Sequence, residues 1–183
     1  MDKFILQKSE VITQNKESMI EDIRKAHAFF CDRFRVPDTE STWMYGWYNA
    51  FSITAPSSEF YELYKELCTM IRNFINTDEQ LWFTCWINWH MPDEVLDWHD
   101  HVSEWHGFIS IEPHKTETIW RDGFKVDNEV GNIFIGTGQL DHKVVVLENF
   151  DTPRITLGFD IVKDIKDTCS VVPCQQFNLM PIL

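Results

Sequence analysis

The chain has 183 residues, 44% hydrophobic and 14% aromatic, which supplies enough large side chains for a real core and argues against disorder as a whole. Sixteen Lys and Arg against 29 Asp and Glu leave a net charge of −13, which repels phosphate backbones. The largest basic cluster (Arg24, Lys25, Arg33 and Arg35) is interleaved with acids on an expected helix, so no nucleic-acid partner is expected. No run of about 18 apolar residues occurs, so neither a membrane-spanning helix nor a membrane partner is expected.

From the N-terminus, MDKFILQKSEVITQ lacks a basic region followed by a sustained apolar run, so no signal peptide is expected. From Lys16 to Val36, Met19, Ile20, Ile23, Ala26, Phe29, Phe30 and Phe34 recur at spacings of 3 and 4, the period of a helix that Pro37 ends. The aromatic stretch at residues 42–48 suits a loop or short strand. Pro56, Ser57, Ser58 and Glu59 form a helix-start signal. The stripe Phe60, Leu63, Tyr64, Leu67, Met70, Ile71, Phe74 and Ile75 then predicts a helix up to Asn76.

After Asp78 the period changes to two. Leu81, Phe83, Cys85, Ile87 and Trp89 fall on one face of a strand, and Trp82, Thr84, Trp86 and Asn88 on the other. Further strands are expected at Val95–His101, Gly107–Glu112, Thr116–Trp120, Gly131–Ile135, Lys143–Glu148 and Arg154–Val162, with turn residues between most of them. Helices followed by seven or eight short strands predict an α+β fold with a sandwich or barrel as its body, a class that includes jelly rolls and cupin-like barrels. One domain is expected over 1–183: a mainly helical buttress at 1–78, a β core at 79–165 and a C-terminal tail at 166–183. The five cysteines (Cys31, Cys68, Cys85, Cys169 and Cys174) are odd in number and form no CxxC pair. This disfavours a disulfide framework or a zinc knuckle and points to the cytoplasm, with Cys169–Cys174 the one bridge to consider.

Three features carry chemistry. In Trp98-His99-Asp100-His101, a strand would aim His99 and His101 from one face, half of a site for Fe, Zn, Ni or Cu; the alternative is a solvated pair at a strand end. His142 follows the apolar strand and Gly-rich turn of residues 131–141, which would aim it into a barrel mouth unless its role is structural. Arg154 and Thr156 share one face of the last strand. An inward Arg there needs an anion, either a bound carboxylate or one of the chain's own acids.

In order, these residues resemble the double-stranded β-helix of the Fe(II)/2-oxoglutarate-dependent oxygenases, and more narrowly the small prolyl-4-hydroxylase-like members encoded by bacteriophages and marine bacteria. The resemblance covers about Leu81 to Val162. Its segments are Trp86-Ile87-Asn88, His99-Asp100-His101 followed by Gly107-Phe108-Ile109-Ser110-Ile111, Gly131-Asn132-Ile133-Phe134-Ile135, and Arg154-Ile155-Thr156-Leu157-Gly158-Phe159.

The resemblance implies a barrel buttressed by the N-terminal helices. It also implies that His99 and His142 are Fe(II) ligands and that Arg154, aided by Thr156, anchors the far carboxylate of 2-oxoglutarate. The implied activity is hydroxylation of a C–H bond coupled to decarboxylation of 2-oxoglutarate. The substrate would be a small molecule or a peptide or protein side chain, in a host cytoplasm if the chain is phage-encoded. The family pattern has Asp or Glu where this chain has His101. The third ligand is therefore His101 itself or a nearby carboxylate, Asp97 or Asp100, or else the site is degenerate. Trp82, Trp98, Trp105, Trp120 and His106 are candidates to line the mouth. Two other readings stand beside this one: a cupin-like metalloenzyme that does not use 2-oxoglutarate, with Glu104 one residue short of the cupin ligand spacing, and a metal-free binding protein on the same barrel.

Overall fold

The computed structural model describes residues 4–34, 42–43, 48–164 and 178–183. Ten strands and three helices are assigned among them: β1 (Phe4–Lys8), α1 (Glu10–Phe34), β2 (Thr42–Trp43), α2 (Ala50–Ile53), α3 (Ser58–Ile75), β3 (Leu81–His90), β4 (Trp105–Glu112), β5 (Thr116–Trp120), β6 (Lys125–Asp127), β7 (Asn132–Thr137), β8 (His142–Val146), β9 (Arg154–Val162) and β10 (Met180–Ile182). The architecture is α+β, and every strand pair is antiparallel. The larger sheet has the order β1-β7-β4-β9-β3-β10, with β2 also paired to β3; the smaller has the order β6-β5-β8.

The alternation along β3 separates two environments. Phe83 faces the helices, its ring 5.7 Å from Phe51 and 6.1 Å from Tyr64. Trp86 and Asn88, on the opposite face, line a cavity to which both sheets contribute. The main core joins the apolar stripes of α1 and α3 (Met19, Ile23, Leu63, Leu67, Ile71) to the helix-facing residues of the larger sheet (Phe83, Ile87, Ile109, Leu157, Phe159). Helix α3 begins where the start signal places it: Ser57 caps it through the Phe60 N–H, and Asn76 ends it in the left-handed conformation. Helix α1 spans Glu10–Phe34 with a break at Asn15, which is non-helical (φ −126°, ψ 17°); its longer, unbroken part begins at Lys16, as the apolar period predicts, and a short helical turn precedes it.

Three strands carry no sequence expectation. β6 closes a short hairpin with β5. β1 and β10 lie at the edges of the larger sheet, on β7 and β3, so the supposed tail ends as a strand. Side chains of α3 and the cap of α2 hold this C-terminal segment: the Tyr64 hydroxyl donates to the Pro181 carbonyl at 2.6 Å, Arg72 to the Ile182 carbonyl at 2.6 Å and Asn49 to the Asn178 carbonyl at 3.0 Å. Cys68 and Cys85 are buried free thiols, as expected of small apolar residues; the side chains of Cys31, Cys169 and Cys174 lie outside the described residues. Among those residues no helix is long and apolar enough to cross a membrane.

Candidate active site

On β9 the alternation places Arg154, Thr156, Gly158 and Asp160 on one face. The first three line a cavity of about 340 Å³ between the sheets. Register sets their neighbours: Asn88 stands opposite Thr156 and Trp86 opposite Gly158 on β3, while Phe108 pairs with Gly158 and His106 with Asp160 on β4. Position 158 requires glycine. A Cβ there would lie 2.6 Å from the Trp86 indole, which crosses β9 at that point.

The expected strand at Val95–His101 does not form. The segment turns at Met91, whose N–H donates to the Glu94 carboxylate at 2.7 Å, and then runs irregularly beside β8. Val144 N–H donates to the Leu96 carbonyl, and His99 and His142 exchange both backbone hydrogen bonds at 3.0 and 2.9 Å. Between those two points the segment advances three residues and β8 only two, so regular pairing fails. The His101 N–H then donates to the Gly138 carbonyl at 2.8 Å. A Cβ at Gly138 would sit 2.3 Å from the Ser103 carbonyl oxygen, so this glycine permits the close approach.

These ties bring the imidazoles of His99, His101 and His142 together, each with a nitrogen within 4.8 Å of the others. Ring centroids are 4.3 Å apart for His99–His142 and 5.4 Å for the two pairs that include His101. His99 Nδ1 lies 2.7 Å from the Asp97 carbonyl and His142 Nδ1 3.0 Å from the Leu140 carbonyl. A carbonyl can only accept, so each Nδ1 carries the proton and each Nε2 keeps a lone pair. His101 Nδ1 is 2.9 Å from Oδ1 of Asp160, and its Nε2 is shielded from solvent without a hydrogen-bond partner. Burial holds His142 neutral, its pKa pushed down to about 4, and lowers that of His99 in the same direction.

The carboxylates offered by the sequence take no part in this cluster. Asp97 is exposed and contributes its carbonyl instead; Asp100 lies at the exposed rim of the cavity. Glu104, the cupin-type candidate, pairs at the surface with Lys163 at 3.0 Å. The carboxylate that does approach is Asp160, which with His101 and His106 forms a second group of ligand atoms within 4.8 Å of one another. Continuing the Arg154–Thr156 alternation by two steps along β9 would have found it.

At the other end, Arg154 is 3% exposed and has no ion-pair partner among the described residues. Its Nε is unpartnered and its Nη1 donates to Thr156 Oγ1 at 3.2 Å; burial pushes its pKa down to about 10. Asn88 Nδ2 donates to the same oxygen at 3.2 Å. With both lone pairs of Thr156 occupied, its own O–H is left to donate. The result is a set of cationic and neutral donors with no anion, which fits a ligand carboxylate.

Of the expected mouth residues, His106 lines the cavity and the four tryptophans do not. Trp120 packs into a second small core with Phe108, Val126 and Phe134. Trp98 lies under Arg121 and Trp105 under Lys163, each as a cation–π pair. Trp86 is the indole that faces inward, because it shares the β3 face of Asn88.

The shielded, unpartnered Nε2 of His101 beside two other imidazoles fits a divalent first-row metal, for which imidazole is a suitable ligand. No family model matches the chain, and no curated protein does. Solved structures do. The non-heme alpha ketoglutarate dependent carbocyclase SnoK from nogalamycin biosynthesis aligns with a TM-score of 0.57 at 10% identity, covering 87% of this chain and 79% of that one. The epimerase SnoN, of the same dependence and biosynthesis, gives 0.57 at 11% identity over 88% and 78%. HygX from Streptomyces hygroscopicus, solved with iron bound, gives 0.56 at 12% identity over 87% and 81%. The chain shares its fold with these proteins. A carbocyclase and an epimerase on one fold also show that the fold does not choose the reaction.

Proposed function

We propose that the chain is an Fe(II)/2-oxoglutarate-dependent oxygenase on a double-stranded β-helix. One observation carries the reading: a cavity of about 340 Å³ is lined both by three converging imidazoles and by a buried arginine that has no carboxylate partner among the described residues. An unpaired buried guanidinium is costly to the fold, and a dicarboxylate reaching from the metal to Arg154 would relieve that cost. The shared fold supports the superfamily. The segments around Trp86–Asn88 and His99–Ile111 favour its prolyl-4-hydroxylase-like branch.

In this reading His99, His101 and His142 hold Fe(II) through Nε2, two of them oriented by carbonyls at Nδ1. Arg154 clamps the far carboxylate of 2-oxoglutarate, and the Thr156 hydroxyl, fixed by Asn88 and Arg154, donates to it. Trp86 and Phe108 wall the cavity and exclude water. Bound iron and 2-oxoglutarate would supply the oxidising chemistry with dioxygen as oxidant, one oxygen atom going to the decarboxylated 2-oxo acid, released as succinate and carbon dioxide, and the other to a substrate C–H bond. The substrate class is a small molecule or a peptide or protein side chain, since a net charge of −13 disfavours nucleic acid.

Anaerobic titration of Fe(II) with and without 2-oxoglutarate tests this. A visible charge-transfer band that needs both components is the expected result. Metal binding without any effect of 2-oxoglutarate would instead support a cupin-like enzyme, and absence of both a metal-free binding protein.

A further inference from the structure

The three proposed ligands are all imidazoles, so the ligand set carries one negative charge fewer than two histidines and a carboxylate. We infer that Asp160 supplies that charge one imidazole away, acting as a positioning residue that orients His101 through Nδ1 and strengthens its Nε2 as a metal ligand. The inference rests on the metal reading above.

The geometry singles out His101. The other two histidines are held by carbonyls two residues before them in the chain, His99 by Asp97 and His142 by Leu140. No such bond holds His101 Nδ1; the nearby acceptor is Oδ1 of Asp160, 2.9 Å away, brought from β9. That distance is within ion-pair reach, and the buried Asp160 oxygen has no other hydrogen-bond partner among the described residues, which leaves it for His101. An imidazole that donates to a carboxylate is a more basic ligand at its other nitrogen, and the carboxylate–histidine–metal arrangement is a general device for fixing tautomer and ring orientation.

His106 completes the support. Its ring stacks on His101 with centroids 3.7 Å apart and 13° between planes, and its Nδ1 lies 3.6 Å from the same Asp160 oxygen. The β4–β9 register explains the meeting, since His106 and Asp160 are directly opposed. Because His101, His106 and Asp160 also lie within ligand reach of one another, the rival arrangement is a second cation held by those three.

Cobalt(II) titration of the metal-free full-length chain, followed by its visible absorption, decides between them. The wild type should bind one Co(II), and Asp160→Asn should bind it about 10–100-fold more weakly. His101→Asp places the carboxylate in the ligand set itself, so adding Asp160→Asn to that background should no longer weaken binding. If His101→Asp does not fold, His101→Glu serves as the background, with the same expectation. Melting of the metal-free chains, compared for wild type and Asp160→Asn, separates loss of metal from loss of fold. Unchanged affinity in Asp160→Asn overturns the inference, as does an equal loss in every background or binding of two Co(II) per chain. The parent reading fails in a different way, when His142→Ala binds Co(II) as well as the wild type does.

Discussion

At the histidine end of the cavity, protein acceptors stand beside all three Nδ1 atoms and leave the Nε2 atoms for a ligand; at the arginine end, the buried cation meets a neutral hydroxyl and no carboxylate among the described residues. The first end has its imidazoles already gathered and needs little rearrangement to take a metal. The second stores an electrostatic cost that only an anion removes. A site built this way should take up its metal independently of 2-oxoglutarate, while 2-oxoglutarate should depend on both ends.

The largest effect that can break this comparison is removal of an imidazole. His99→Ala or His142→Ala should abolish tight metal binding, read by metal analysis after dialysis, because two ligands remain. Next is Arg154→Lys, which keeps the charge but loses the fork. It should weaken 2-oxoglutarate by about 1–3 kcal/mol in calorimetric titration and leave metal affinity unchanged. Arg154→Met, by contrast, should raise the melting temperature of the ligand-free chain, by about 2–4 °C for each kcal/mol gained, since it removes the unpaired charge. A lower melting temperature would mean that the arginine is satisfied within the protein.

Acid should affect the buried histidines, two at the histidine end and His90 opposite Arg154 at the other. Burial pushes His90 and His142 down to about 4 and His106 to about 3, against an ordinary value of 6.5; the charge of Arg154 adds to the effect at His90. The folded chain therefore binds fewer protons than the unfolded one. Stability is lost as pH falls below about 6.5 toward 4, by up to about 2 kcal/mol for each such histidine at pH 5. Chemical denaturation at pH 7 and pH 5 measures it, and equal midpoints would show that these rings protonate freely. The smallest expected signal is binding to duplex DNA. At a net charge of −13, none should be detectable at about 150 mM salt, and micromolar affinity would contradict the reading of the surface.

Legibility in the sequence followed how local the cause was. β9 runs from Arg154 to Val162 as its alternation predicts, and α3 follows its stripe and cap, because periodicity and capping are written in adjacent residues. β1 and β10 were not visible: each pairs with a strand far away in the chain, and β1, mostly exposed at a sheet edge, shows no buried alternation. The Val95–His101 segment has strand-like composition, but its spacing against β8 is uneven, which only the tertiary structure reveals. His99, His101, His142, Arg154 and Thr156 were each named from local pattern, and all five line the cavity. Asp160 escaped because its significance comes from the imidazoles opposite it rather than from its neighbours in sequence.

His99 and His142 are joined backbone to backbone although some forty residues separate them. Such a contact closes a long loop that holds β4, β5, β6 and β7, and contacts between distant residues tend to form late because loop closure must be offset first. An order of folding is expected from this, in which much of both sheets forms before two of the three imidazoles meet. In the proposed reading, a metal would then arrive late and seal a nearly finished structure, rather than act as a nucleus around which the protein condenses.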